Sequence, residues 1–375
     1  MARAHALAFA AALLAAAVAT GARADAGVPP NAYAPRVGFA SHTTYMNQRD
    51  ASAYVQRAAA IGVRWLREDF SWAAIEPRKG RFDWRATDRL MRNASQAGMN
   101  VVALVGYAPS WANGRHADDK YPPLNPRAYA DAAVAIADRY GKRGSFWAHN
   151  RKLKPRPLAA MELWNEPWSA TFWKPEPDVA AYAALVRATA PRLAARHPEI
   201  EVLVSGDLHF SFSDGHDYAN GTHRDWEHGF LAALLREDFA FDSIDGYAVH
   251  PYSEAHGPYV TTIPFFADQR IAQQWLYQKV LLIRDTLDAA GRLKPLWSTE
   301  LGWSTNGDVD EATQGRYVEE ALKRAVDEWS GFVARSFVYV LEKPHNRDYA
   351  GGYNLLRDDL TPKDGWLKLR RLLGR

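Results

Sequence analysis

Short apolar runs alternate with longer amphipathic stretches along most of the chain. Eight runs rich in β-branched and aromatic residues have the length of buried strands, and they begin at residues 37, 63, 101, 160, 202, 244, 295 and 336. The stretches between them show the three- and four-residue spacing of helices. One predicted helix carries an apolar face made of Val318, Leu322, Val326 and Trp329. Asp308 or Asp310 is its candidate N-cap.

The order of these elements predicts the fold class. A further helix is predicted over 83–97, with Gly98 as its C-terminal stop. Eight strand–helix alternations in about 340 residues are typical of an α/β fold of the (β/α)8 TIM-barrel type, rather than of a doubly wound sheet. No glycine-rich phosphate loop follows the first strand, which removes the usual argument for a dinucleotide-binding fold. Since no repeat or linker interrupts the chain, residues 37–375 are predicted to form a single barrel domain.

The first residues have the pattern of an export signal. An apolar run covers Ala6–Ala19, and Ala22-Arg23-Ala24 supplies the small residues that signal peptidase requires. The run is too short to cross a bilayer about 30 Å thick. We therefore expect residues 1–24 to be a signal peptide and 25–36 a leader segment, with the mature protein periplasmic or secreted. No later apolar stretch is long enough to predict a membrane span.

Charge and cysteine content exclude several classes of protein. The 46 Lys and Arg residues nearly balance the 43 Asp and Glu residues, giving a net charge of +3, and the basic residues are scattered. A nucleic-acid partner is therefore not expected, because such proteins show a basic stripe. The absence of cysteine excludes disulfide scaffolds, thiolate zinc sites and cysteine nucleophiles. The sequence says nothing of oligomeric state, and a monomer is the default expectation.

Two glutamates follow predicted strands at the end of a barrel where chemistry normally takes place. Glu166 follows strand four and Glu300 closes strand seven, both among aromatic residues. Cleavage of a glycosidic bond requires one carboxylic acid and one carboxylate, about 5–5.5 Å apart when the anomeric configuration is retained. Arg67 and Tyr252, at other strand ends, are expected to keep Glu300 ionised, and apolar surroundings are expected to keep Glu166 protonated.

The same segments resemble a known group of enzymes. Trp164-Asn165-Glu166-Pro167 resembles the strand-four signature of clan A glycoside hydrolases, Thr299-Glu300-Leu301-Gly302-Trp303 resembles their nucleophile segment, and His250-Pro251-Tyr252 resembles their strand-six motif. The stretches 62–67 and 80–84, with Trp72 and Glu76-Pro77 between them, are similar to the opening of glycoside hydrolase family 39 and of the Psl-type exopolysaccharide glycosidases.

The resemblance implies a role for each matching residue. It implies Glu166 as the general acid/base, Asn165 as a contact to the sugar 2-hydroxyl, Glu300 as the nucleophile and Tyr252 as its hydrogen-bond donor. Further substrate-binding residues expected on this basis or from their places at strand ends are Arg67, His250, His42, Trp168 and Trp303. Clan members commonly end strand eight with Trp, whereas this chain has none there, and Tyr339 is a possible substitute.

Two other groups of residues suggest further sites. Aromatic residues that fall at or just past predicted strand ends are expected to stack on sugar rings; they are Trp72, Tyr107, Trp111, Trp168, Trp173, Phe210, Phe212 and Trp303. The segment after strand five is rich in possible metal ligands, namely His209, Asp214, His216, Asp217, His223 and His228. Their spacing matches no zinc or EF-hand pattern, so a polar loop lining the cleft is favoured and no metal or cofactor is predicted.

These observations predict a retaining glycosidase that acts on a polysaccharide or oligosaccharide. The spread of aromatic residues over several loops favours endo action on a long chain, such as an exopolysaccharide. One alternative is a catalytically silent barrel that binds carbohydrate or serves as a scaffold in polysaccharide export. Another is a metal-dependent hydrolase that uses the histidine-rich segment.

Overall fold

The protein is described by a computed structural model that covers residues 32–209, 229–264, 269–307, 309–342, 351–357 and 359–375. The predicted signal peptide, most of the leader and most of the histidine-rich segment lie outside these residues. No helix in the described ranges is long and apolar enough to span a membrane.

Eight parallel strands close into a barrel in the order of the chain, with β1 paired to both β2 and β8. The strands are β1 (Val37–Ser41), β2 (Trp65–Ser71), β3 (Asn100–Gly106), β4 (Ala160–Leu163), β5 (Glu201–Ser205), β6 (Gly246–Val249), β7 (Leu296–Leu301) and β8 (Val333–Tyr339). Each coincides with one of the eight predicted runs. The predicted (β/α)8 barrel is therefore confirmed.

Helices surround the barrel and connect its strands. They are α1 (Gln48–Ala60), α2 (Trp72–Ile75), α3 (Arg85–Ala97), α4 (Pro126–Tyr140), α5 (Ser145–His149), α6 (Val179–Arg196), α7 (Phe230–Leu234), α8 (Gln269–Gln273), α9 (Lys279–Ala289), α10 (Glu311–Lys323) and α11 (Asp364–Leu372). Short 3-10 turns cover Thr43–Tyr45 and Phe241–Ser243, and a π-helical turn covers Arg324–Glu328.

Two of the predicted helix ends are confirmed by the structure. Gly98 follows α3 with φ 71°, a left-handed conformation that glycine adopts without steric cost. The side chain of Asp310 accepts a hydrogen bond from the Thr313 amide, so it is the N-cap of α10. The other candidate, Asp308, lies outside the described residues. The predicted apolar face continues from α10 into the π-helical turn that follows it.

Side chains that point into the barrel form an apolar floor with a polar layer above it. The floor consists of Ala40, Trp65, Val102, Ala160, Leu203, Ala248, Trp297 and Phe337. Because strand side chains alternate in direction, residues two positions further along reach the next layer on the same side. Arg67 follows Trp65 and Glu162 follows Ala160 in this way, so a cation and an anion occupy the barrel directly above the floor.

The interior layer also corrects one expectation. Arg67 was expected at a strand end, but it lies within β2, as the third residue of the strand. It is therefore held by paired backbone on both sides, with Ala40 of β1 and Val102 of β3 as register partners. A side chain placed this way is fixed by the sheet rather than by a loop.

Candidate active site

A cavity of about 560 Å³ opens at the carboxyl ends of the strands. Its lining comprises His42, Asp69, Tyr107, Asn165, Glu166, Trp168, Ser169, Phe172, Asp207, His209, His250, Tyr252, Glu254, Trp275, Lys279, Glu300, Tyr339 and Tyr353. Both predicted catalytic glutamates and most of the predicted binding residues therefore meet in one place. Loops from opposite sides of the barrel contribute to the wall.

The backbone after β4 turns sharply to present Glu166. Trp164 and Glu166 adopt positive φ values of 69° and 39°, which are uncommon for residues other than glycine. The buried indole of Trp164 anchors the turn by donating a hydrogen bond to the Phe172 carbonyl at 2.7 Å. Such strained conformations persist only where the surroundings enforce them, and they concentrate at functional sites.

Glu300 is held as a charged carboxylate by two donors. Arg67 Nη1 lies 2.5 Å from Glu300 Oε1, and the Tyr252 hydroxyl donates to Oε2 at 2.7 Å. Burial works to raise the pKa of Glu300, but the charges of His250 and Arg67 and the Tyr252 hydrogen bond outweigh it and lower the pKa. The expectation that Arg67 and Tyr252 flank an ionised Glu300 is confirmed by these contacts.

Arg67, on β2, donates hydrogen bonds to residues of β4 and of the segment that follows it, as well as to Glu300. Its Nε and Nη2 donate to the two carboxylate oxygens of Glu162 at 2.7 and 2.9 Å, and Nη2 also reaches Asn165 Oδ1 at 2.8 Å. Glu162 is fully buried. Although burial works to raise its pKa, the charges of Arg67 and His250 and the hydrogen bonds from Arg67 lower the pKa to about 2. Glu162 thus stays ionised and fixes the guanidinium that faces Glu300.

His250 lies between the two glutamates. Its Nδ1 is 2.6 Å from Glu166 Oε1 and 3.8 Å from Glu300 Oε2, while Nε2 is 3.1 Å from Thr299 Oγ1. Burial works to lower the pKa of His250, but the charges of Glu300 and Glu166 and the hydrogen bond to Glu166 raise it to about 10. His250 is therefore positively charged at neutral pH.

The two glutamates lie within reach of one substrate atom. A carboxylate oxygen of Glu166, one of Glu300 and a ring nitrogen of His250 all lie within 4.8 Å of one another. This spacing is close to that of carboxylates that act by nucleophilic attack, and shorter than the ~6.5–9.5 Å that leaves room for an attacking water. The same three groups are a candidate metal-ligand set. The guanidinium of Arg67 beside Glu300 opposes a cation there, so the arrangement fits proton transfer better.

The remaining predicted binding residues divide into two groups. His42 lines the cavity and is held at Nδ1 by Glu342 Oε1 at 2.9 Å. Trp168 also lines it, with its ring packed edge-on against His250 at a centroid distance of 5.6 Å. Trp303 does not reach the wall, because its side chain is only 1% exposed and donates to the His256 carbonyl. The expected stacking role of Trp303 is therefore wrong.

Two further expectations about the surroundings need correction. Trp72 and Trp173 are at most 1% exposed and belong to the core, so they are not sugar platforms. Glu166 does not lie in apolar surroundings, since it contacts the His250 ring and its side chain is 18% exposed.

Among the other aromatic residues expected to stack on sugars, Tyr107 lines the cavity, whereas Phe210 and Phe212 lie outside the described residues. Trp111 is partly buried and donates to the Glu76 carbonyl.

Strand eight ends with Tyr339, the residue expected as a possible substitute for the missing Trp. Tyr339 lines the cavity and packs edge-on against His42, Tyr252 and Tyr353, with ring centroids 5.6–6.2 Å apart. These rings form one aromatic wall beside Glu300. The predicted substitute is thus placed at the site, and Tyr353 is an addition that sequence reasoning missed.

Several polar residues of the site were also missed. Glu162 and Asp69 lie within strands, and Asp207 follows β5 and pairs with Lys279 at 2.7 Å, both nearly fully buried. A charged residue at an inward position of an apolar strand signals a buried partner, so Glu162 could have been paired with Arg67 in advance. Of the histidine-rich segment, only His209 lies within the described residues, with its Nδ1 3.1 Å from Asp207 Oδ1.

Comparison with known proteins agrees with the barrel fold. The model of glycoside hydrolase family 42, described as beta-galactosidase, matches residues 44–128. No curated protein matches the chain. A family 39 glycoside hydrolase structure from Bacteroides cellulosilyticus is similar over 92% of this chain, with 20% identity and a TM-score of 0.63. This chain covers only 64% of the length of that protein.

Two other solved structures share the barrel. A GH5_18 protein from Streptomyces cattleya, in complex with Manβ1-4GlcNAc, matches 91% of this chain and 80% of its own at 15% identity, with a TM-score of 0.61. An endo-β-1,4-mannanase from Thermotoga petrophila matches 91% and 76% at 14% identity, with a TM-score of 0.59. The predicted resemblance to clan A glycoside hydrolases is confirmed at the level of the fold. The resemblance to the Psl-type enzymes stays a prediction.

Proposed function

We propose that this protein is a retaining glycoside hydrolase that cleaves O-glycosidic bonds in a polysaccharide or oligosaccharide. The observation that carries the proposal is the placement of Glu166 and Glu300, with carboxylate oxygens within 4.8 Å of each other in one cavity. Their surroundings differ, because Arg67 and Tyr252 hold Glu300 in its ionised form while Glu166 accepts a short hydrogen bond from His250. Two carboxylates in different environments suit two different roles.

In the first step, Glu300 Oε attacks the anomeric carbon and the bond to the leaving oxygen breaks. A proton passes from the carboxyl group of Glu166 to the leaving oxygen, so the departing sugar leaves as an alcohol, while His250 keeps both ring protons and donates a hydrogen bond to the carboxylate that remains. The result is a glycosyl ester on Glu300. Arg67 and Tyr252 hold the attacking carboxylate in one orientation, which reduces the entropy cost of reaching the transition state.

In the second step, water replaces the departed sugar beside Glu166. Glu166, now without its proton, takes one from the water, whose oxygen attacks the anomeric carbon and displaces Glu300. The carboxyl group of Glu166 thereby regains its proton, and the carboxylate of Glu300 is regenerated. Two displacements at one carbon give net retention of configuration.

The cavity favours a chain of sugars as the substrate. The cavity wall includes the aromatic side chains of Tyr107, Trp168, Trp275, Tyr339 and Tyr353, which come from different segments of the chain. Apolar faces of sugar rings pack well on such side chains. This supports endo action, in which the chain continues past the cleaved bond in both directions. An exopolysaccharide is the proposed natural substrate.

We also propose that the protein acts outside the cytoplasm, in the periplasm or beyond the cell. The support is the apolar run Ala6–Ala19 with small residues at Ala22 and Ala24. A polysaccharide too large to enter the cytoplasm would be accessible there.

A direct test is to incubate the purified protein with aryl glycosides and with mannan, xylan and glucan, size the products, and follow the first anomer released by NMR. We expect oligosaccharide products of mixed size that retain the anomeric configuration of the substrate. Inversion of configuration would contradict the double displacement. Binding of polysaccharide without any hydrolysis would instead identify a silent carbohydrate-binding barrel.

A further inference from the structure

A second cavity of about 340 Å³ lies next to the catalytic one, on the side of β1 and β2. It is lined by Thr44, Tyr45, Asp69, Ser71, Ala74, Ile75, Asp83, Arg85, Ala86, Thr87 and Arg89. These residues come from the turn after β1, the end of β2, and helices α2 and α3 with the segment between them. None of the residues that perform the proposed chemistry belongs to this wall.

The two cavities meet at Asp69. This carboxylate lines both of them, and its Oδ2 accepts a hydrogen bond from the Tyr45 hydroxyl at 3.2 Å. Tyr45 belongs to the second cavity, and its ring lies 6.5 Å from that of His42, which lines the first. Tyr45 is 52% exposed, so its ring is accessible at the junction. The two cavities are therefore neighbours that share the Asp69 carboxylate.

The walls of the second cavity carry balanced charges. Asp83 is paired with Arg85 through two oxygens, with Nε 2.9 and 3.0 Å away. Arg89 is held by a hydrogen bond from Nη2 to the Thr44 carbonyl at 2.8 Å, and the Asp69 carboxylate lines the same cavity. A carboxylate-bearing ligand would therefore meet two acidic side chains as well as the two arginines.

The chemistry of this wall suits a neutral sugar. Asp69 can accept hydrogen bonds and the arginines can donate them, which matches hydroxyl groups that do both. Ala74, Ile75 and Ala86 supply an apolar patch against which the C–H face of a sugar ring can pack. Polar groups placed around an apolar patch are the usual composition of a small-molecule site.

We propose that the second cavity is a binding subsite for a further neutral sugar unit of the same substrate chain. The inference rests on the proposed glycosidase function and extends it. The enzyme then selects long chains over short ones, because only a chain that spans the junction at Asp69 gains the contacts of the second cavity.

The test fills the second cavity without touching the catalytic residues. Ala74, exposed on α2, and Ala86, on α3, are each replaced by tryptophan, and Ala195→Trp on the exposed face of α6 is the matched control. Values of kcat/KM are measured on β-1,4-linked manno-, xylo- and cello-oligosaccharides of two to six units and on the corresponding aryl monoglycosides. The series that the unaltered enzyme hydrolyses fastest is used for comparison.

We expect kcat/KM of the unaltered enzyme to rise with chain length. In Ala74→Trp and Ala86→Trp the ratio of kcat/KM on the longest oligosaccharide to that on the aryl monoglycoside should fall about tenfold, which corresponds to ~1.4 kcal/mol. Ala195→Trp should leave the ratio unchanged. An unaltered ratio in both cavity variants, or no length dependence in the unaltered enzyme, would overturn the subsite while leaving the catalytic assignment intact. Affinity that falls steeply with salt would show an anionic ligand and would also overturn it.

Discussion

Replacing Arg67 by methionine tests how the barrel interior supports the catalytic carboxylate. Arg67 is 3% exposed and donates to Glu162, Asn165 and Glu300. Methionine keeps much of the volume but removes the charge, so Glu162, fully buried, and Glu300, 8% exposed, lose their shared counter-charge. Removing one partner of a buried ion pair typically costs 3–5 kcal/mol, because the remaining charge stays buried without compensation.

The expected loss is therefore about 3–5 kcal/mol in the free energy of unfolding, measured by urea denaturation near pH 7. The control is Arg192→Met, since Arg192 and Asp131 are 43% and 69% exposed and pair on the surface. An exposed pair contributes about 0–1 kcal/mol, so this variant should remain close to the unaltered protein.

A double variant separates the charge effect from lost packing. Adding Glu162→Gln to Arg67→Met removes one of the two carboxylates that have lost the charge of Arg67. The double variant should be more stable than Arg67→Met alone by at least about 1 kcal/mol. The reasoning is refuted if Arg67→Met costs no more than Arg192→Met. It is equally refuted if Glu162→Gln makes the Arg67→Met protein still less stable.

Three further predictions concern the site and the chain end. Tyr252→Phe removes a hydrogen bond to the charged Glu300 that is worth about 1.5–3 kcal/mol. We therefore expect kcat/KM on an aryl glycoside to fall about ten- to a hundredfold, with little change in unfolding temperature. An unchanged kcat/KM would contradict the role of Tyr252 as a donor to Glu300. Because the pKa of His250 is raised from 6.5 to about 10, its charge stabilises the fold fully below pH 6.5 and this contribution is lost as pH rises through 10. His250→Gln should accordingly cost more unfolding free energy at pH 6 than at pH 10.5, and an equal cost at both would contradict a charged His250. N-terminal sequencing of the mature protein should begin at or near Asp25, and a mature chain starting at Met1 would disprove the signal peptide.

The barrel and its two glutamates could be predicted because they depend on local patterns. Eight apolar runs and the helical spacing between them are readable without knowledge of long-range contacts, and Glu166 stands directly after one of these runs. The direction of the Glu300 side chain is harder to predict from the sequence. Strand alternation puts Thr299 on the same face as Trp297, and Glu300 on the other. The register of β7 against β8 shifts between Ser298 and Leu301, and such irregularities redirect side chains near active sites.

The surroundings of the site could not be read from the sequence to the same degree. Whether an aromatic residue after a strand faces the cavity or the core depends on packing between distant segments. Trp168 reaches the cavity wall, whereas Trp303 packs against Tyr277 and Tyr317 on the outside of the barrel. The contact between Glu166 and His250 likewise joins residues 84 positions apart. The expectation of apolar surroundings for Glu166 was wrong because no local pattern encodes that contact.

The division of roles between the two glutamates is tested most directly by azide rescue of alanine variants. Azide can enter the space left by either carboxylate and act as a nucleophile. With a β-linked aryl glycoside, Glu166→Ala should still form the glycosyl ester and transfer it to azide, giving the β-glycosyl azide. Glu300→Ala cannot form the ester, so direct attack by azide should give the α-glycosyl azide. The same anomer from both variants, or hydrolysis of a natural substrate at the unaltered rate by either one, would contradict the assignment of Glu300 as nucleophile and Glu166 as acid/base.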